Sequence, residues 1–352
     1  MPSASLPSRL QVVVPYGRAG SSARVRGFDW LDATGLDAQV HDYLGLSVNK
    51  PELVLRRPVD AARAEGHLRW LSRQVADRTV YLVREASPFS RGRVESALLR
   101  HAGRGVYDFD DALHIQAPGL VERVFSKAVK WRRAVAAADV VIAGNQLLAE
   151  AAVSAGHPDV RLIPSCVNPD DYRTKTCHGR VGAPRAVWLG SPPTEPYVES
   201  IAAPLLAVHR SHGLRLTVIS AGDRPLGELD AMVDRVAWTP NAGQWLADAD
   251  FGIMPLRDDP WTRGKCAYKL LQYGAAGLPM IGSPVGANTG ALDVMGGLAA
   301  GTDAEWREAL VALVRASEAD LEALGRTALA GVEAHFSFAA WAPAWLEAVG
   351  HA

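Results

Sequence analysis

The chain has 352 residues, of which 48% are hydrophobic and 21% charged, with 37 Lys and Arg against 38 Asp and Glu. This composition excludes a disordered, collagen-like or coiled-coil protein, and the balanced charge argues against a nucleic-acid-binding protein, which needs a basic excess. At roughly 150 residues per domain, the length favours two domains.

Short β-branched segments alternate with longer segments of helical period along the whole chain, a pattern that predicts parallel sheets covered by helices. In the first half this pattern predicts strands at 10–14, 38–43, 79–84, 105–108, 139–143 and 160–163. The helices predicted between them cover 60–76, 91–101, 119–137 and 146–155. A polar passage at 164–184 then predicts an interdomain linker.

In the second half the same pattern predicts strands at 185–189, 214–220, 235–238, 251–255 and 279–282. We therefore expect an N-terminal domain at 1–175, a C-terminal domain at 176–335 and a closing helix at 336–352. The closing segment carries Phe336, Trp341 and Trp345 near one helical face. Two alternatives stay open for it: a core helix of the second domain, or a helix that packs back toward the first.

The loop after the first predicted strand contains Gly17 and Gly20, and Arg24 follows on the next helix. Glycine permits close approach of a backbone, and a helix N-terminus favours anions. The loop matches neither the dinucleotide-binding fingerprint nor the Walker A motif. It is a candidate for contacts to a phosphate or a polar substrate, and the alternative is a plain strand-to-helix turn.

Three acids end the predicted strand at 105–108, namely Asp108, Asp110 and Asp111. Clustered carboxylates suggest metal binding, contacts to sugar hydroxyls or acid/base chemistry, while a capped helix start is the structural alternative. Only the lone His114 stands nearby as a further ligand, so we predict no metal site. The three cysteines have neither disulfide nor zinc spacing.

The segment 258–279 offers a candidate anion site. If 265–276 is helical, Lys265, Lys269 and Gln272 lie on one face, at i, i+4 and i+7. Arg263 and the helix N-terminus add positive potential at the same end. Because the helix would follow a strand of a doubly wound sheet, its start would lie at the ligand-binding edge. The alternative is a solvated helix face.

The segments 249–256, 269–281 and 283–288 resemble the C-terminal domain of family 4 glycosyltransferases, and 138–145, 163–168 and 336–341 support the resemblance. The resemblance implies an α/β GT-B arrangement of two Rossmann-like doubly wound domains facing across a cleft. It implies transfer, with retention, from a nucleotide-diphosphate sugar of UDP or GDP type to a small-molecule or glycan acceptor. The expected context is natural-product or surface-glycan biosynthesis, with no cofactor required.

The chain departs from the family at two places. Gly264 and Gln272 stand where the family carries two glutamates, and the loop from Gly190 lacks the usual Arg and Lys. We expect Arg263, Lys265 and Lys269 to supply the missing positive charge. The candidate catalytic residues are Asp110, Asp111, Arg263 and Lys265. The candidate donor-site residues are Gly17, Gly20, Arg24, Gly190, Trp238, Thr239, Lys269, Gln272, Gly286 and Asn288.

Two other functions stay open. A nucleotide-sugar epimerase would use Asp110 and Asp111 as its acid/base pair, and the missing glutamates allow an inactive nucleotide-binding homologue. Residues 1–9 lack an apolar leader and no run approaches about 18 apolar residues, so we expect a cytoplasmic protein. Membrane association is disfavoured, although the basic segment 126–133 leaves it open.

Overall fold

The structure is a computed structural model that describes residues 8–47, 51–116, 119 and 124–351. These residues pack into two compact units. The first comprises Met1–Ser165, Gly264–Cys266 and Trp341–Ala352, and the second comprises Cys166–Arg263 and Ala267–Ala340. The limits 1–175, 176–335 and 336–352 expected for functional domains stay predictions beside these packing units.

The described part of the first unit contains a six-stranded parallel sheet with the order β2-β1-β3-β4-β5-β6. Its strands are β1 Leu10–Val14, β2 Ala38–Asp42, β3 Thr79–Val83, β4 Arg104–Phe109, β5 Val140–Ala143 and β6 Val160–Leu162. The strand β1 is buried along its whole length, as expected where helices cover both faces of a parallel sheet. The order places β1, β3 and β4 side by side, so the residues that follow them meet at one edge.

The helices of this unit begin with a continuous helical stretch after β1, made of Ser21–Ala23, a π-helical turn Arg24–Phe28 and Asp29–Thr34. The others among the described residues are Pro51–Leu55, Pro58–Leu71, Arg93–His101, Lys127–Val135 and Gln146–Ser154. Ser126 accepts a hydrogen bond from the Val129 N–H and starts the helix Lys127–Val135. Residues 120–123 of the predicted helix 119–137 lie outside the described residues.

The second unit contains a six-stranded parallel sheet with the order β12-β11-β10-β7-β8-β9. Its strands are β7 Arg185–Leu189, β8 Arg215–Ser220, β9 Val233–Ala237, β10 Phe251–Met254, β11 Met280–Gly282 and β12 Leu298–Ala299. Successive residues of β7 alternate between two core clusters, one for each face of the sheet. The short strand β12 was not predicted, and β9 begins two residues before the predicted strand 235–238.

Helices cover both faces of this second sheet. Their ranges are Pro196–Glu199, Ala202–His212, Pro260–Arg263, Tyr268–Ala275, Ala287–Met295, Asp303–Arg315 and Glu318–His335. Thr302 and Ser317 each form a capping box at the start of the last two, which satisfies backbone N–H groups there.

The predicted helix at 265–276 is wrong at its start. Ala267 adopts a left-handed conformation with φ of 54°, and the helix begins only at Tyr268. A left-handed residue interrupts a right-handed helix, so Lys265 is not on the same helical face as Lys269 and Gln272. The spacing argument therefore holds for Lys269 and Gln272 alone.

The last helix, Phe338–Ala348, contributes Trp345 to the core of the first unit. The indole of Trp345 is fully buried and stacks on Trp30 with the ring centroids 5.1 Å apart, while Tyr81 meets it edge-on. Arg104 also donates a hydrogen bond to the Ala348 carbonyl. Of the two alternatives for the closing segment, packing in the first unit applies to its part from Trp341 onward.

Candidate active site

Four side chains meet at the edge of the first sheet where β1, β3 and β4 end. The Arg84 guanidinium donates to Asp111 at 2.7 Å, to Asp110 at 3.2 Å and to the Ser22 hydroxyl at 2.7 Å. Arg84 is 10% exposed, Asp110 14% and Asp111 20%. We call these four residues the acid cluster. Its carboxylates are held in place by one arginine and still reach solvent.

The backbone at Arg84 has an unusual conformation that aims this side chain. Its φ is 61°, in the left-handed region that costs a non-glycine residue energy. The Arg84 N–H donates to the Asp108 carbonyl, and its own carbonyl accepts from the Tyr107 hydroxyl, so neighbouring β4 holds the turn. Burial by itself lowers the pKa of Arg84, but the charges of Asp111 and Asp110 outweigh it and raise that pKa.

Residues Gly264–Cys266 pack within the first unit beside the acid cluster. The Lys265 ammonium lies 3.8 Å from Asp111, and the Cys266 thiol donates to the Asp110 carbonyl at 3.3 Å. A Cβ on Gly264 would lie 2.6 Å from the Ala112 side chain, so only glycine fits there. Burial raises the pKa of Cys266, which keeps its thiol protonated. The predicted catalytic residues Asp110, Asp111 and Lys265 thus come together.

A second ion pair lies behind the acid cluster. Arg26 donates to both Asp108 oxygens, at 2.8 and 2.6 Å, and both side chains are 0% exposed. Arg26 also donates to the carbonyls of Ile163 and Pro164, and Tyr81 donates to Asp108 at 2.8 Å. The third acid of the predicted cluster, Asp108, is therefore a buried structural partner and not a site residue.

The glycines of the loop after β1 pack against protein atoms. A Cβ on Gly17 would lie 2.7 Å from the Gly45 carbonyl, and one on Gly20 would lie 2.5 Å from Tyr16. Arg24 lies 3.9 Å from Asp29. These contacts give both glycines a packing reason, and their predicted contact to a nucleotide stays a prediction.

In the second unit, Lys269 lies at the carboxyl end of β7. Its ammonium is 5.5 Å from the centre of the Trp188 ring, a cation–π distance. A Cβ on Gly190 would lie 2.4 Å from Trp188 and 2.9 Å from the Lys269 side chain, so glycine lets the three residues pack together. Lys269 is the second residue of the helix Tyr268–Ala275, where backbone N–H groups favour an anion.

One helical turn further on, Gln272 donates a hydrogen bond to the Tyr172 hydroxyl at 3.2 Å. The next residue, Tyr273, fixes this helix to the sheet, because its buried hydroxyl accepts from the Leu189 N–H and donates to the Ile253 carbonyl. Gln272 is half-buried and keeps an amide oxygen with acceptor capacity. Lys269 and Gln272 are thus presented by a helix that is held rigidly.

The remaining predicted donor-site residues lie elsewhere in the second unit. Exposed Arg263 donates two hydrogen bonds to Asp258, at 2.6 and 3.0 Å, and this contact lowers the pKa of Asp258. Gly286 has a φ of 57°, and a Cβ there would lie 2.3 Å from the Arg263 carbonyl. The Asn288 amide is buried and donates to the Ser283 carbonyl.

Trp238 and Thr239 follow β9. The Trp238 N–H continues the sheet by donating to the Ser220 carbonyl, and its ring is partly buried against the core cluster of the second unit. Thr239 is exposed. A partly buried indole and an exposed hydroxyl thus follow each other at this end of the sheet.

The predicted catalytic and donor-site residues do not include Arg84, Ser22, Trp188 or Tyr172. Arg84 directly follows β3, the strand between β1 and β4, so its position at a strand end was a usable signal. The contact between Gln272 and Tyr172 joins residues 100 positions apart and left no such signal.

Two kinds of similarity to known proteins accompany this geometry. Residues 187–316 match the family model described as glycosyl transferases group 1. No curated protein matches the chain. The matched range contains Trp188, Gly190, Lys269 and Gln272.

Solved structures match nearly the whole chain at low sequence identity. HepE from Anabaena in complex with UDP-glucose has a TM-score of 0.70 at 13% identity, over 98% of this chain and 100% of that one. A UDP-forming trehalose-phosphate synthase from Burkholderia xenovorans has a TM-score of 0.64 at 14% identity, over 97% and 99%. WaaG, a glycosyltransferase involved in lipopolysaccharide biosynthesis, gives 0.64 at 14%, over 97% and 100%.

These similarities confirm the predicted fold class: two α/β domains with parallel six-stranded sheets, as in GT-B glycosyltransferase structures. Within the described ranges, no helix is both long and apolar enough to cross a membrane. The same part of the chain contains no group of three or more His, Cys, Asp or Glu side chains arranged to hold a metal ion.

Proposed function

We propose that the protein is a glycosyltransferase that moves a sugar, with retention, from a nucleotide-diphosphate donor to a hydroxyl of a small-molecule or glycan acceptor. One observation carries the proposal: Lys269, Trp188 and Gly190 meet at the carboxyl end of β7, inside the range that matches the glycosyltransferase family. That end of a parallel sheet is where such folds bind ligands.

The diphosphate site would be built from Lys269, the start of its helix and the loop that begins at Gly190. A cation and the N–H groups at the start of a helix stabilise a diphosphate. The Trp188 ring, 5.5 Å from the Lys269 ammonium, would help to position that charge. Gln272 would meet a ribose hydroxyl, and Trp238 with Thr239 would receive the base. The donors named for the similar structures favour UDP, with GDP as the alternative.

In the proposed reaction, the bond between the anomeric carbon and the diphosphate breaks, and a bond to the acceptor oxygen forms on the same face. The acceptor proton passes to the departing diphosphate. The chain's own contribution is electrostatic and positional, since no protein nucleophile is needed. Arg263, Lys265 and Lys269 would stabilise the diphosphate charge, and Asp110 and Asp111 would accept hydrogen bonds from sugar hydroxyls.

The acid cluster suits that role because its carboxylates are oriented in advance. Arg84 fixes Asp110 and Asp111, and each carboxylate has further lone pairs available. Partial exposure leaves both within reach of a ligand. The same two acids would serve an epimerase as an acid/base pair, which is the enzymatic alternative.

One observation favours an inactive nucleotide-binding homologue as the second candidate. Gly264 and Gln272 replace the two glutamates expected from the family resemblance, and Gly264 is enclosed against Ala112. Binding of a nucleotide sugar with neither donor hydrolysis nor transfer would select this alternative.

The test is a calorimetric and thermal-shift panel of UDP, GDP, ADP, dTDP and CDP, with and without attached sugars. A ligand that binds the folded state raises its melting temperature with concentration, so no acceptor is needed. We expect one base to bind, and we expect Lys269→Ala to weaken that binding by about tenfold or more at an unchanged apo melting temperature. No response across the panel from the folded protein would overturn the proposed donor site.

A further inference from the structure

A cavity of about 890 Å³ opens in the first unit, and no residue of the acid cluster lines it. The helix Pro58–Leu71 and the start of the helix Arg93–His101 form its walls, with the segment that joins β3 to the latter helix. The volume lies within the range of small-molecule sites, roughly 300–1,000 Å³. Neither the acid cluster nor the proposed donor site uses this cavity.

Four arginines line the cavity, namely Arg69, Arg91, Arg93 and Arg133. In the described part of the chain, the side chains of Arg69, Arg91 and Arg93 form no ion pair and no hydrogen bond. Arg133 donates only to the Arg91 carbonyl, at 2.6 Å, which leaves its charge uncompensated. Like charges gathered around one cavity repel each other, and an anionic ligand would relieve that repulsion.

The carboxylates of this region do not neutralise the arginines. Glu65, which lines the cavity, accepts hydrogen bonds from the hydroxyls of Tyr43 and Ser87. Glu95 is 0% exposed and accepts from the Ser90 hydroxyl and from the N–H groups of Ala86 and Ser87. The lining holds four arginines and one carboxylate, Glu65, so it keeps a positive excess.

The wall of the cavity is held in a fixed shape. Lys130 donates to Glu85 at 2.6 Å and to the carbonyls of Ser87 and Pro88 at 2.7 and 3.0 Å. Gly92 has a φ of 84° and lies where a Cβ would be 2.9 Å from Arg133, so glycine brings the segment and the helix Lys127–Val135 together. These contacts fix the backbone that carries Arg91 and Arg93, and so they fix where the two side chains start.

We propose that this cavity binds a small molecule that carries a phosphate group. Arginine matches the geometry of a phosphate with its paired N–H donors. A ligand with a single carboxylate would need fewer than four arginines, so a phosphate suits the cavity better. Phe89 and Leu68, with Val94 and Ala97, give the same cavity an apolar side. The ligand therefore has a phosphate at one end and a less polar body, such as a sugar ring, at the other. This site goes beyond the proposed function and does not depend on sugar transfer.

The test uses inorganic pyrophosphate as the probe, titrated by calorimetry into the full-length protein in buffer of matched ionic strength. The cavity variant is Arg91→Ala/Arg93→Ala. Both side chains are exposed and the Arg91 carbonyl remains to accept from Arg133, so circular dichroism and the melting temperature should not change. We expect this variant to bind pyrophosphate at least about tenfold more weakly than the unmodified protein.

Two further variants separate the possible sites. Arg100→Ala removes an exposed arginine of the same helix that does not line the cavity, and should leave the affinity unchanged. Lys269→Ala tests the proposed donor site. It should leave pyrophosphate binding in the cavity unchanged, whereas the cavity variant weakens that binding. The proposal is overturned if pyrophosphate does not bind, if Arg100→Ala weakens binding equally, or if only Lys269→Ala reduces it. If only the proposed donor site is wrong, pyrophosphate should still bind in the cavity.

Discussion

Two arginine–aspartate groups follow one another at the end of β4, and they differ chiefly in exposure. Arg26 and Asp108 are both 0% exposed and use their hydrogen bonds on each other, on Tyr81 and on backbone carbonyls. Arg84, Asp110 and Asp111 are 10%, 14% and 20% exposed, and the two carboxylates keep lone pairs directed toward solvent. The comparison teaches that the inner group supports the fold, whereas the outer group is available to a ligand.

The largest effect should come from breaking the inner group. Arg26→Met leaves a buried Asp108 carboxylate with Tyr81 as its remaining side-chain donor, so the free energy of unfolding should fall by about 3–5 kcal/mol. Urea unfolding followed by circular dichroism measures it. The control Arg18→Met removes one side of an exposed pair with Asp32 and should change stability by less than about 1 kcal/mol. Equal losses of unfolding free energy in Arg26→Met and Arg18→Met would contradict the comparison.

Buried His41 extends the comparison to pH. Burial, and secondarily the His67 charge, lower the pKa of His41 from 6.5 to about 4. Between these values the unfolded chain binds a proton that the folded chain does not, so stability is lost as the pH falls from about 6.5 to about 4. His41→Gln should flatten this part of the stability profile by about 3 kcal/mol. The exposed His335→Gln serves as the control, and parallel profiles for His41→Gln and the unmodified protein would refute the assignment.

The outer group should govern turnover with little effect on stability. Asp111→Asn removes the charge that Arg84 and Lys265 both face, and misplacement of the sugar hydroxyls should lower kcat about 10²-fold. Initial-rate assays with the donor found in the nucleotide panel measure it, beside melting temperatures. Asp32→Asn, which removes an exposed aspartate of the same unit, should keep full activity. A large fall in melting temperature with an unchanged kcat would instead place Asp111 with the inner group, which supports the fold.

The smallest effect is expected at half-buried Gln272. Gln272→Glu keeps the length and an acceptor oxygen, so nucleotide affinity should stay within about threefold or improve if this side chain meets ribose. Gln272→Ala, the matched truncation, should weaken binding. Calorimetry with the preferred nucleotide measures the affinity of both variants. A loss of more than tenfold in Gln272→Glu would instead locate this side chain against the diphosphate, where a negative charge is repelled.

The strands were largely predictable because burial on both faces leaves a continuous apolar run: 10–14 and 185–189 match β1 and β7 at both ends. The helix start at 265–276 was not predictable from periodicity, because a single left-handed residue, Ala267, interrupts it. The position of Asp110 and Asp111 at a strand end was enough to predict them as site residues. That Asp108 differs from them became visible only through its contact with Arg26, 82 positions away. Long-range pairing of that kind has no local signature.

The placement of Trp345 has a consequence for biosynthesis. The first unit closes its core with this indole, stacked on Trp30, and residue 345 leaves the ribosome after every residue of the second unit. The second unit, Cys166–Arg263 with Ala267–Ala340, is complete before then. Although domains generally fold from the N-terminus onward during synthesis, here the first unit must wait for the segment from Trp341 onward. In a nascent chain stalled before Trp341, the second unit would have all of its residues, whereas the core of the first unit would still lack Trp345.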